Sequence, residues 1–234
     1  AIQLGLDRAA IGVSDLAGIP WPAQPLGNLI FVENSAWYVD NSGEWGSYNP
    51  DKAREVLEAD GWTMGADGFY ERDGQRLTVW FSQLEGVPVS INESLLTQAQ
   101  LREVGIDVQI RLQPLSNWGQ ALSTGDFELV AFTWLGTAFP FGGIGQLFGN
   151  GGASNYANSD IPELDALIRQ VDTTWEPADR AVIANEIDVI LWEYGHTLPL
   201  YQRPELWAVN ADLANIGAYG YSSINWTDIG WTNS

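Results

Sequence analysis

The 234-residue sequence contains no cysteine, one histidine (His196) and one lysine (Lys52). Without cysteine there is no disulfide framework, no thiol nucleophile and no Cys-ligated zinc. One histidine excludes a multi-histidine metal centre and the H-E-x-x-H motif. A Ser-His-Asp triad would have to run through His196, and no G-x-S-x-G elbow accompanies it. His196 therefore reads as a polar residue just past a helix end. No G-x-x-x-x-G-K-[ST] loop is present, which argues against phosphoryl transfer. The glycine-rich FGGIGQLFGNGG, residues 141–152, lacks dinucleotide-binding spacing and reads as a loop.

Positive charge is also scarce. Lys and Arg total 10 against 30 Asp and Glu, a net charge of −20, and no basic cluster is present to neutralise phosphates. Nucleic acid is not an expected partner. No apolar run approaches the roughly 20 residues of a membrane span. The chain opens on AIQLGLDRAA, which reads as a helix already under way, so a fragment of a longer protein is expected. With 45% hydrophobic residues and no internal repeat, the composition is globular. Thirty carboxylates make a glycosidase pair uninformative. The 12 Trp residues, whose indoles can stack on sugars, keep open a secreted carbohydrate-binding or glycoside-hydrolysing domain.

Apolar spacing predicts a helix over residues 1–17 and a long Pro/Gly/Asn-rich connection over 18–49. YNPDKAREVLEADGW, residues 48–62, is a well-punctuated helix: Asn49 as N-cap, Pro50 at the first helical position, Gly61 at the end. Residues 69–82 read as a hairpin turning at Asp73-Gly74. Ser90 and Glu93 form a capping box for a helix to Val104, with Leu95, Ala99 and Leu101 inward. A strand at 106–112 and a helix near 116–123 lead to FELVAFTW, residues 127–134, whose apolar run predicts a strand covered on both faces. Helices from Asp160 to about Val171 and from Pro177 to Gly195 follow, then extended TLPLY (197–201), a possible strand at 208–210 and a loosely patterned tail. The β-α-β rhythm is that of an α/β lobe.

One segment departs from ordinary turn chemistry. FTWLGTAFPFGG, residues 132–143, puts aromatics past the end of a strand, where loops of an α/β sheet gather ligands. Trp134 and Phe139 are either core plugs or walls of a ligand site.

Several blocks, in order, resemble the extracytoplasmic solute-binding proteins of ABC importers, in the oligopeptide/dipeptide-binding family (family 5). AIQLGLDRAAI is similar to that family's "A-l-x-x-a-i-D-R-x-x-l", and YNPDKAREVLEADGW to its "Y-D-P-x-K-A-x-x-L-L-x-x-A-G-W". LLTQAQLREVGIDVQIRLQPLSNWGQALSTGDFELVAFTW, NYANSDIPELDALIRQ and LPLYQRPELWAV resemble the segments that follow. The resemblance implies an α/β fold, a periplasmic-binding-protein-like lobe with a mixed β-sheet flanked by helices. Residues 1–200 would be the second lobe of a two-lobed protein, and residues 201–234 the hinge return and a segment of the first lobe.

It implies a non-enzymatic, monomeric receptor without cofactor or metal, anchored outside the bacterial membrane, in the periplasm or as a lipoprotein. That receptor would capture a peptide or other small solute and deliver it to the permease subunits. Trp134 matches the cleft Trp of the family, Trp118 another cleft Trp, and Asn155 the Asn of the loop after the site. Phe139, Thr137, Ser82 and, from the hinge, Arg203 complete the expected contacts, Arg203 facing a ligand carboxylate. Where peptide-binding members carry an Asp three residues after the Trp, pairing with the peptide ammonium, this chain has Thr137. A neutral hydroxyl gives up roughly 1–2 kcal/mol of that charge-assisted bond.

Overall fold

The computed structural model describes residues 1–232. The opening segment forms two short helices where one was expected, α1 (Ile2–Gly5) and α2 (Arg8–Asp15). The break follows from Asp7, whose carboxylate accepts from the Ala10 N–H at 2.9 Å and so starts a new helix, while its own N–H donates to Gln100. Leu6, extended between them, enters the core.

Helix α3 (Pro50–Ala59) has the expected punctuation. Asn49 accepts from the Lys52 N–H at 3.0 Å, and Gly61 follows the helix at φ +86°, a conformation without steric cost only for glycine. Next comes a small antiparallel sheet of β1 (Thr63–Met64), β2 (Tyr70–Arg72) and β3 (Gln75–Arg76). Its tight turn has Asp73 at φ 54° and Gly74 at φ 74°, as a two-residue hairpin of right-handed twist requires.

The chain then leaves the hairpin. β4 (Thr78–Leu84) becomes the central strand of a parallel sheet, flanked by β5 (Asp107–Gln113) and β6 (Leu129–Val130). α4 (Pro88–Val104) and α5 (Leu115–Thr124) make the crossovers. Phe81 and Val108 face α4, α1 and α3 in one core with Leu4, Leu57, Leu101, Val104 and Ile106. The opposite sheet face carries exposed Trp80, Gln109 and Arg111. A second core gathers α6 (Ile144–Phe148), α7 (Pro162–Thr173) and α8 (Pro177–Tyr194) around Leu164, Ile168, Ile187 and Leu191, with Phe31 and Phe141.

Three expectations fail here for physical reasons. α4 begins at Pro88, two residues before the proposed capping box. Ser90 accepts from the Leu84 N–H instead, and Glu93 turns toward Asp15. The buried face of α4 is then Ser94, Thr97, Leu101 and Val104, with Ser94 donating to Gln83 at 2.7 Å, while Leu95 and Ala99 point outward. The strand expected over 127–134 pairs only at Leu129–Val130 and emerges with exposed aromatics, because no neighbour continues its ladder. No strand forms at 208–210; short β7 (Leu213–Ala214) and β8 (Gly230–Trp231) pair in the tail.

The 18–49 connection is packed down by buried polar groups. Arg8, 5% exposed, donates to the carbonyls of Leu26, Gly46 and Pro199 at 2.6–2.8 Å and lies over the Trp192 ring. Asp188, fully buried on α8, accepts from the Leu29 N–H and the Asn41 amide, and Asn185 joins Asn28 to Asn41. Burial pushes the Asp188 carboxyl up to about 6. Replacing Arg8 with Ala leaves three carbonyls without their donor. Urea unfolding is expected to show a loss of about 3 kcal/mol or more, with only partial recovery in Arg8→Lys, which lacks the guanidinium fork. A loss under about 1 kcal/mol would show that water replaces the side chain.

Candidate ligand site

Past β6 the backbone runs extended and unpaired, so alternate side chains share a side. Phe132 and Trp134 meet there edge to face at 5.1 Å, and Trp134 stacks on Tyr156 at 5.5 Å with the rings 18° apart. Phe132 and Tyr156 close the trio at 5.8 Å. The rings are not core plugs, since Trp134 is 45% exposed and Phe139, further along, 81%. Thr137, also exposed, accepts from the Phe139 N–H at 3.2 Å, which leaves its hydroxyl proton free to donate. The tail reaches this loop, because any side chain at Gly136 would strike the Tyr221 hydroxyl.

Tyr156 is held from beneath. The Asn155 amide donates to the Gly149 and Ser159 carbonyls, and its oxygen accepts from the Ser159 N–H and hydroxyl and meets His196 at 3.2 Å. Asn155 is thus engaged on both sides within the protein and shapes the loop that delivers Tyr156. His196, edge-on to Phe148, has its pKa lowered to about 4 by burial and stays neutral. Ser82 is 1% exposed; its Oγ has no hydrogen-bond partner among the described residues, and it lines a pocket of about 380 Å³ with Trp80, Arg111, Asp126 and Glu128. Trp118, half-buried on α5, makes no ring contact with the trio among the described residues.

Arg203 joins the aromatic loop from the return segment, donating to the Thr133 hydroxyl at 3.1 Å. Beside it lies a carboxyl pair that sequence reasoning missed. Asp15, at the end of α2, accepts from Asn92 at 2.6 Å and from the Tyr201 hydroxyl at 3.1 Å, and Glu93 of α4 faces it. Burial pushes the Glu93 carboxyl up to about 7; the Asp15 charge adds to this and the Arg203 charge opposes it. The Tyr201 hydroxyl is raised by burial and by Asp15, so it remains a donor. Phe132 and Tyr156, likewise unforeseen, had sequence signals only in their adjacency to Trp134 and Asn155.

Residues 1–156 match the family model described as bacterial extracellular solute-binding proteins, family 5 middle. The chain belongs to that family. It is 31% identical to the oligopeptide-binding protein OppA of Mycobacterium tuberculosis, over 99% of this chain and 39% of that protein. Among solved structures it superposes on the oligopeptide-binding protein AppA of Bacillus subtilis, in complex with a nonapeptide, with TM-score 0.73 and 19% identity, covering 86% of this chain and 40% of that one. The mannohexaose-bound periplasmic oligopeptide-binding protein of Thermotoga maritima gives TM-score 0.72 and 18% identity, over 85% and 39%. The fold is therefore that of a type II periplasmic binding protein, and the chain spans about two-fifths of the length of these relatives.

Because Glu93 titrates higher folded than its ordinary 4.5, the folded state holds that proton more tightly than the unfolded chain, and its contribution to stability falls as pH rises from 4.5 through about 7. Glu93→Gln is expected to raise the thermal midpoint by about 3 °C or more at pH 8 and to leave it nearly unchanged at pH 5. Equal shifts at both pH values would show that the carboxyl is not carrying the effect.

Proposed function

We propose that this chain is part of the substrate-binding component of an ABC importer, capturing peptides or a related solute outside the bacterial membrane by hinge closure and delivering them to the permease. The observation that carries this reading is the Phe132–Trp134–Tyr156 cluster, with Phe132 and Trp134 exposed, beyond the carboxyl end of the parallel sheet, where α/β folds bind ligands. The family's binding proteins, one holding a nonapeptide, support it. On this reading residues 1–200 are the second lobe and residues 201–234 return to the first. The whole protein works as a monomeric, non-catalytic receptor outside the bacterial membrane, in the periplasm or held at the cell surface by a lipid anchor.

Trp134, Phe139 and Thr137 would meet the ligand directly, with Trp118 at the flank and Arg203 from the hinge. Asn155 and Ser82, expected to hydrogen-bond the ligand, would act otherwise: Asn155 through its loop, while the buried Ser82 hydroxyl belongs to a pocket between β4 and the segment before β6. An oligosaccharide ligand is the second reading, favoured by the open stacking platform and the mannohexaose-bound neighbour.

Thermal unfolding of the full-length protein with a di- to pentapeptide library, and separately with cello- and xylo-oligosaccharides, tests both. A ligand that binds only the native state must raise the midpoint. Peptides are expected to raise it, and Trp134→Ala to weaken binding by about tenfold or more. A rise with sugars alone moves the ligand class; no rise with either library, or one untouched by Trp134→Ala, overturns the proposal.

A further inference from the structure

We propose that Asn150 is a site of spontaneous covalent modification: its side-chain amide condenses with the Gly151 nitrogen and hydrolyses to aspartate or isoaspartate, and the product loosens the loop that carries Tyr156. The chemical step stands apart from the ligand-binding reading above, and only its consequence for a ligand rests on that reading.

Asn150-Gly151 is the one Asn-Gly pair in the chain. Ring closure needs the nitrogen of the following residue to reach the carbonyl carbon of the Asn side chain, and glycine, without a Cβ, obstructs that approach least. Both residues are exposed, and a Cβ added at Gly151 would meet no atom within 4 Å, so the approach is open. The pair fills the centre of a turn in which the Gly152 N–H donates to the Gly149 carbonyl at 3.0 Å, with Gly151 at φ +69°. The Gly151 N–H itself donates to nothing among the described residues, so no hydrogen bond has to break before its nitrogen reacts.

The atoms balance with solvent water as the one co-reactant. The Gly151 nitrogen gives up its proton and bonds to Asn150 Cγ; the Cγ–Nδ2 bond breaks, and Nδ2 leaves as ammonia, taking up that proton. Water then opens the resulting succinimide at either carbonyl. One product is aspartate, and the other is isoaspartate, whose main chain runs through Cγ and is longer by a carbon atom.

The contacts of Asn150 make either product consequential. Its side-chain amide donates to Asp160 at 2.9 Å, and its main-chain N–H donates to Asp165, on α7, at 3.0 Å. A carboxylate has no proton to donate, so the bond to Asp160 is lost and two anions face each other in its place. Isoaspartate also lengthens the turn whose Gly149 carbonyl accepts from the Asn155 amide at 3.0 Å. That contact shapes the segment leading to Tyr156, which stacks on Trp134.

The test is ageing of the full-length protein at 37 °C, at pH 6.5 and pH 8.5, followed by peptide mapping that separates aspartate from isoaspartate. Asn150 is expected to convert faster than the Asn-Ser pairs at Asn34, Asn41 and Asn158, and about tenfold or more faster at pH 8.5, because the attacking nitrogen must lose its proton. Mapping also keeps this signal apart from isoaspartate formed at Asp60, Asp67 and Asp73, each followed by glycine. Asn150→Gln, which keeps the amide but closes a ring less readily, is expected to abolish it. In the aged protein, and in Asn150→Asp for the charge alone, amide hydrogen exchange over residues 149–156 is expected to rise about tenfold relative to fresh wild type. Conversion at Asn150 no faster than at the Asn-Ser pairs overturns the site. Conversion with unchanged exchange over 149–156 overturns the effect on the loop. Neither readout uses a ligand, so both hold whether or not the ligand-binding reading does.

Discussion

The geometry of the site depends on a buried cation. Arg8 places a guanidinium where three distant stretches of backbone converge, at Leu26, Gly46 and Pro199, and rests it on Trp192. Burial lowers its pKa and the Asp40 charge opposes that, so the fork remains a set of charged donors among carbonyls that would otherwise lack partners. α2 packs on α4, whose Leu101 and Val104 belong to the first core, and Trp192 lies on α8, which packs the second. One side chain therefore connects both cores, the long connection between them and the segment that leaves α8.

That last link reaches the site. Pro199, held by Arg8, stands two residues before Tyr201, which bridges to Pro25 and donates to Asp15, and four before Arg203. The Gln202 carbonyl accepts from the Trp21 indole, and its side chain accepts from the Glu33 N–H. The return segment is thus tied to the connection at successive residues, and the guanidinium of Arg203 is delivered to Thr133 from a fixed base. Asn28, Asn41, Asn185 and Asp188 fasten the other end of the connection to α8 by the same means. Specific polar contacts, more than shared apolar surface, hold the two cores in register.

This division explains what the sequence made legible. Local signals read correctly where the partner lies within a few residues: Asn49 to Lys52, Asp73-Gly74 in the hairpin, Gly61, Gly105 and Gly195 after helices. They misled where a distant group competes. Ser90 and Glu93 have capping-box spacing, but the Leu84 N–H and Asp15 take their side chains. The apolar run at 127–134 suggested burial, yet strand pairing depends on a neighbour that local composition does not encode. Trp134 stands out in the sequence through its family pattern, whereas Tyr156 and the Asp15–Glu93 pair come from loops and helices whose meeting is a tertiary fact. The importance of Arg8 was not legible either, since an Arg near a helix start usually reads as solvated.

The same contrast bears on how the site differs from its family pattern. Members that bind peptides place an Asp after the cleft Trp to meet an ammonium; here the position is Thr137, whose hydroxyl accepts from the Phe139 N–H and shapes its own turn. A site that loses a buried anion loses its electrostatic anchor unless charge is supplied elsewhere. Arg203 donates to the Thr133 hydroxyl earlier in the same loop. Exposed Trp134 and Phe139 offer apolar contact, so what this loop can give a ligand is surface and shape more than a fixed charge. A hydroxyl at position 137 removes a charge from the loop without altering the fold that presents it.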